Sequence, residues 1–168
     1  MYKCKRDEAG KTNFAKNVEK TMSKFGYNFV LKPQQMNVIE LIVKYRGNVL
    51  ALLPTGYGKS SCYILPPLVL DQQVKKGSHH IAIVISPLRS LMYDQVTDFN
   101  SRGIAVIALS SETTQYELEE LANGKYSIVY ARPEMILKKK CLDMLLSPQY
   151  QKEVFLVAID EAHSISQC

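Results

Sequence analysis

Residues 48–63, "NVLALLPTGYGKSSCY", decide how this chain is read. An apolar run at 49–53 stops at Pro54, and Gly56, Gly58, Lys59, Ser60 and Ser61 follow within a few positions. That order predicts a buried strand, a tight turn and the start of a helix. Glycines at 56 and 58 let the backbone curl closely around phosphate oxygens, because they take left-handed conformations without steric cost. A helix starting behind the turn aims its N-terminal amides and its positive dipole end into that curl. Lys59 is then placed to reach β- and γ-phosphates, and the Ser60 hydroxyl to ligate Mg²⁺. Thr55, Tyr57 and Ser61 complete the loop as candidate nucleotide contacts. The longer phosphate-loop pattern has its first glycine where this chain has Leu53, so the match is to the variant T-G-x-G-K-S.

Working outward from the loop, apolar runs recur at 81–85, 104–109, 126–130 and 154–159. They are continuous rather than alternating, as expected for parallel strands covered on both faces. The segments between them, at 59–70, 90–100, 113–123 and 133–146, are long enough for the crossover helices that parallel connections need. The expected fold is α/β, a doubly wound parallel sheet of about five strands with helices on both faces. Upstream, Phe14, Val18, Met22 and Phe25 are spaced as one face of a helix, and Pro33 opens a second helix carrying Met36, Ile39 and Val43. The expected organisation is a helical extension at 1–24 and one domain at 25–168.

The last apolar run leads into Asp160, Glu161, Ala162 and His163. Doubly wound sheets bind ligands at the carboxyl ends of their strands. Carboxylates at the edge of an apolar core are costly to desolvate unless something uses them. Asp160 suits a Mg²⁺ ligand and Glu161 a group that orients or deprotonates water, which makes Lys59, Asp160, Glu161 and His163 the candidate catalytic set. His163 is the least specific of these, since an isolated histidine is commonly structural. Its candidate role is coupling to a neighbouring lobe.

Composition sets bounds on the rest. The chain has 168 residues, 46% hydrophobic, with a formal charge of +5. That is enough for one good core, and the mild positive excess suits a nucleic-acid partner without requiring one. Cys4, Cys62, Cys141 and Cys168 are scattered without a C-x-x-C pair, the usage of reduced thiols. No apolar run approaches the roughly 18 residues a bilayer span needs, so no membrane partner is expected. The Lys138–Lys140 run reads as a solvated helix face.

Several blocks, in order, resemble the first motor lobe of the RecQ-type DNA helicases of superfamily two. "GKSSCYILP" is similar to the family's G-K-S-x-C-Y-x-L-P, "VISPLRSLMYDQV" to I-S-P-L-x-S-L-x-x-D-Q, "YARPEMI" to Y-x-x-P-E, and "DEAHSISQ" to its acidic block. The resemblance covers roughly residues 25–168 and implies a P-loop NTPase of RecA-like fold that takes ATP with Mg²⁺, the metal held by Ser60 and Asp160. It also implies a base site built from Tyr27, Lys32 and Gln35 in "FGYNFVLKPQQ", where Leu31 stands in the place of a usual aromatic. A glutamine amide offers a donor and an acceptor to an adenine edge. Ser86, Arg89, Ser90 and Arg132 would contact the phosphates of single-stranded or forked DNA, with a surface charge as the bland alternative for each arginine.

The family's acidic block leads into a tryptophan-headed, aromatic-rich loop and then a second RecA-like lobe, whereas this sequence stops at Cys168. A trans-acting arginine contributes on the order of 10³ to 10⁵ in rate. The resemblance thus implies ATP-dependent 3′–5′ unwinding only in company with a second lobe, and weak binding and slow hydrolysis without it. The alternatives are a non-catalytic, nucleotide-dependent nucleic-acid-binding module and an RNA helicase lobe. The expected location is nuclear in a eukaryote and cytoplasmic otherwise.

Overall fold

The computed structural model describes residues 8–74 and 79–161. It falls into two compact units that divide after Lys76.

The first unit is helical. Helix α1 (Glu8–Lys24) buries Phe14, Val18 and Met22 of the predicted stripe, whose fourth member, Phe25, follows the helix and is half-buried. Pro33 opens α2 (Pro33–Glu40), its fixed φ suiting the first helical position. A π-helical turn, Leu41–Tyr45, continues α2 until Arg46 ends it in the left-handed conformation at φ 48°. Helix α3 (Ser61–Gln73) is buried at every residue from Cys62 to Leu70. An element apolar on all sides has to be enclosed, and α1 and α2 both pack against it. The helical extension is therefore part of this unit's core.

The run at 49–53 does not form the predicted strand. Leu50 and Leu52 are 81% and 85% exposed. Apolar sequence becomes a strand only when a neighbour takes up its backbone N–H and C=O groups.

The second unit holds the sheet. Strands β1 (Ile81–Ile85), β2 (Val106–Leu109), β3 (Ile128–Ala131) and β4 (Val154–Ile159) lie in the order β2-β3-β1-β4, all pairs parallel. Among the described residues the sheet thus has four strands, where five were expected. β1 is central, its Ile85 opposite Ala131 of β3 and Ile159 of β4, which brings the carboxyl ends of these strands level. Helices α4 (Arg89–Ser101), α5 (Gln115–Ala122), α6 (Pro133–Ile136), α7 (Lys139–Leu145) and α8 (Pro148–Glu153) fill the connections and flank the sheet. Thr114 caps α5, its hydroxyl accepting from the Glu117 amide while Glu117 accepts from the Thr114 amide. The segment 133–146, expected as one helix, is broken because Lys138 takes an extended backbone between α6 and α7. Ile81, Ile107, Leu121, Val129 and Tyr150 centre the core under α5. Among the described residues no helix is long and apolar enough to cross a membrane.

Candidate nucleotide loop and cationic cleft

In the first unit, Gly56 and Gly58 adopt φ 73° and 76°, the left-handed turn the sequence calls for. The loop is braced by Gln35, which is 3% exposed. Its side-chain amide donates to the carbonyls of Tyr57 and Gly58, both at 2.9 Å, and its Oε1 accepts from the Lys32 amide at 2.7 Å. Both donors of the amide are thereby committed to the loop. A Cβ at residue 58 would stand 2.8 Å from the Gln35 Nε2, so any other residue there would have to push that amide off the loop carbonyls besides taking the left-handed φ. In this structure Gln35 positions the loop, and an adenine edge would have to displace one of these bonds.

Of the other predicted base contacts, Lys32 reaches the loop, and Tyr27 stands against a neighbouring ring. Lys32 Nζ lies 3.7 Å from the centre of the Tyr57 ring, and the Tyr57 hydroxyl donates to Gln34. Tyr27 packs edge-on against Phe29, their ring centres 5.7 Å apart. At the start of α3 the buried Tyr63 donates to the Ser60 hydroxyl oxygen at 3.1 Å and so orients that oxygen. Thr55 is exposed at the tip of the turn, while Lys59, Ser60 and Ser61 are half-buried. Next along the helix, burial pushes the Cys62 thiol up to about 11.

In the second unit the predicted residues sit at strand ends. The Asp160 amide donates to the Ile85 carbonyl at 2.8 Å, so the ladder itself holds Asp160 beside the end of the central strand. The Asp160 carboxylate accepts from the Glu161 amide, and Glu161 takes a left-handed φ of 53°. Non-glycine residues seldom adopt that conformation, and it is concentrated at functional sites. His163 lies outside the described residues. Among those described, no three His, Cys, Asp or Glu side chains gather as a metal site. Hydroxyl and carboxylate oxygens such as those of Ser60 and Asp160 are nevertheless the donor class Mg²⁺ takes, one or two at a time with phosphate and water completing the shell.

Arg89 and Arg132 line one cavity of about 160 Å³, with Tyr93, Ser110, Ser111 and Lys138. Glu112 stands 3.9 Å from Arg89, and Glu134 pairs with Arg132 at 2.7 Å. Ser90 is exposed beside Arg89, whereas Ser86 is buried, its amide bonded to the Ala131 carbonyl and its hydroxyl without a hydrogen-bond partner. Ser86 is therefore placed to support the strand end rather than to face the cavity.

The profile of DEAD/DEAH box helicases matches residues 32–168, which spans the braced loop, the cleft and the acidic tip. The chain belongs to the DEAD/DEAH box helicase family. Helicases of RecQ type are among the relatives it matches. It is 44% identical over 118 residues to "ATP-dependent helicase wrn-1" of Caenorhabditis elegans, covering 69% of this chain and 10% of that protein. To "ATP-dependent DNA helicase RecQ" of Bacillus subtilis it is 37% identical over 147 residues, 85% of this chain and 23% of the relative. To the mouse "Bifunctional 3'-5' exonuclease/ATP-dependent helicase WRN" it is 34% identical over 153 residues, 91% of this chain and 10% of the relative. The helicase-family chain thus spans about a tenth to about a quarter of the length of these relatives.

The sequence reading of this helicase-family chain missed several residues. Tyr63, Gln34, Tyr93, Ser110, Ser111 and Lys138 each touch or line a predicted element. For the serines a signal existed: Ser110 directly follows β2, and the carboxyl ends of parallel strands are where ligands gather. For Tyr93 and Lys138 there was none, because a tyrosine within a helix and a lysine in a basic run are each read as surface.

Proposed function

We propose that the chain is the ATP-binding lobe of a RecQ-type DNA helicase, hydrolysing ATP and unwinding DNA together with a second lobe. The observation that carries this is the Gly56–Gly58 turn held in left-handed shape by both donors of Gln35, directly before Lys59 and the Tyr63-oriented Ser60. A loop fixed before ligand arrives can turn its backbone amides to phosphate without ordering cost, which is how such sites gain affinity. Lys59 neutralises the phosphate charge. Mg²⁺ is the finer part of the proposal, with Ser60 and Asp160 as its ligands; when bound it offsets charge on the phosphate oxygens. Glu161 accepts the proton of the attacking water at its carboxylate. Arg89, Ser90 and Arg132 contact DNA phosphates; that Arg89 and Arg132 share one cavity with Lys138 supports the assignment of the two arginines.

Binding of a fluorescent ATP analogue tests the reading, with and without Mg²⁺. Lys59→Ala should cost at least about tenfold in affinity, the worth of a charge-assisted contact. Asp160→Asn should abolish most of the Mg²⁺ dependence while leaving metal-free binding intact. Equal binding by wild type and Lys59→Ala would overturn the reading.

A further inference from the structure

A second cavity, of about 370 Å³, lies between α5 and α7, and all the residues that line it belong to the second unit. Its floor is apolar: Leu109 and Leu121 are buried, and Leu118, Met135, Cys141 and Met144 are half-buried around them. Leu109 and Leu121 belong to the core under α5, and Leu118, Cys141 and Met144 pack against that core, so the floor is a face of it left open. Three of these side chains carry sulfur. Methionine is unbranched and polarizable, and its sulfur makes favourable contacts with aromatic rings. Burial pushes the Cys141 thiol up from its ordinary pKa, so it stays neutral and serves as one more soft apolar group.

Polar side chains ring this floor, and most are committed to one another. The Ser110 amide donates to the Thr113 hydroxyl oxygen at 2.9 Å, and the Ser110 hydroxyl oxygen accepts from the Glu112 amide. Lys140 Nζ donates to the Gln115 side chain at 2.8 Å, tying α7 to α5, while Gln115 donates in turn to Glu119 at 3.2 Å. Of the charged groups on the rim, Lys138 is the uncommitted one: it is exposed, and its ammonium has no hydrogen bond or ion pair among the described residues.

Size narrows the occupant further. A cavity of about 150 Å³ takes one benzene ring, so this one has room for about two. It falls at the small end of whole-ligand pockets, ~300 Å³ upward, and is too narrow for a partner's helix, about 10 Å across.

We infer that this cavity is a binding site for a flat aromatic anion, two fused rings seated on the leucine and sulfur floor and one carboxylate or sulfonate facing Lys138. The ring system follows from the floor and the charge from Lys138, while Glu119 on the same rim disfavours a second negative group. The site stands apart from the nucleotide loop and does not depend on the helicase reading. Met135 and Lys138 also line the smaller cavity of Arg89 and Arg132, so an occupant shares a wall with that cleft.

The chain has six methionines, and their ¹³C-labelled methyl groups form a short set of NMR reporters. Naphthoate, titrated into wild type, should shift Met135 and Met144 saturably while Met22, in the first unit, stays still. Lys138→Ala should weaken naphthoate binding by about 3-fold to about 10-fold and leave the uncharged naphthamide unaffected. Leu118→Trp, which places an indole in the cavity, should abolish binding of both probes. If Met135 and Met144 do not shift, if Met22 shifts alike, or if Leu118→Trp binds as wild type does, the site is overturned. If Lys138→Ala weakens both probes equally, or neither, the assignment to an anion is overturned. Unchanged melting temperatures of the variants separate these outcomes from loss of fold.

Discussion

The phosphate loop and the carboxyl edge of the sheet both present polar side chains to ligands, and they are held by different means. At the sheet edge the backbone does the holding: the Asp160 amide bonds to the end of β1, the Ser86 amide to the end of β3, and both follow from register. At the loop the preceding apolar run is not in a ladder, and side chains hold the turn instead: Gln35 from α2, Lys32 against Tyr57, Tyr63 against Ser60. Ladder-held groups inherit the stability of a core, whereas a side-chain brace can be removed by one substitution. Consequently the two regions should respond to mutation in different currencies, stability for the sheet and ligand affinity for the loop.

The largest expected effect falls on the sheet. Ile81, fully buried in β1 and paired with Val154, should cost about 2–5 kcal/mol of stability as Ile81→Ala, measured by denaturant unfolding. A cost under about 0.5 kcal/mol would mean that the ladder does not anchor this unit.

Gly58→Ala comes next. The added Cβ must accept a left-handed φ at about 1–2 kcal/mol and crowd an amide that cannot turn away without releasing its carbonyls. Reduced ATP-analogue affinity is expected with a small fall in melting temperature, and wild-type affinity would contradict the brace.

A smaller effect comes from Cys62. Its folded pKa of about 11 lies above the ordinary 9.0, so the folded state keeps this proton where the unfolded state has lost it. That contribution is fully present below pH 9 and is lost as pH rises towards 11. The difference in stability between wild type and Cys62→Ala should therefore shift over that window in the variant's favour, and a flat difference would contradict the burial.

The smallest effect is at Leu52, 85% exposed, where Leu52→Ala should stay within about 0.5 kcal/mol. A loss near that of Ile81→Ala would show the run at 49–53 to be buried like a strand.

Much of this molecule was legible in its sequence. The continuous apolar runs at 81–85 and 154–159 read as parallel strands and form them, the first buried and the second partly exposed, and glycines at 56 and 58 read as a left-handed turn because few other residues tolerate it. The run at 49–53 carries the same local signal. Whether such a run enters a ladder is a long-range property that no window of sequence contains. Gln35 was legible as a nucleotide-site residue, but the target of its amide depended on how α2 packs by the loop.

The most direct test of the contrast is a calorimetric titration of a non-hydrolysable ATP analogue, with Mg²⁺, into wild type and Gln35→Ala, with the melting temperature of each recorded. If side chains hold the loop, affinity falls by about tenfold or more while the sheet unit melts as before. Equal affinities would contradict the account, and the loop would then hold its shape without Gln35.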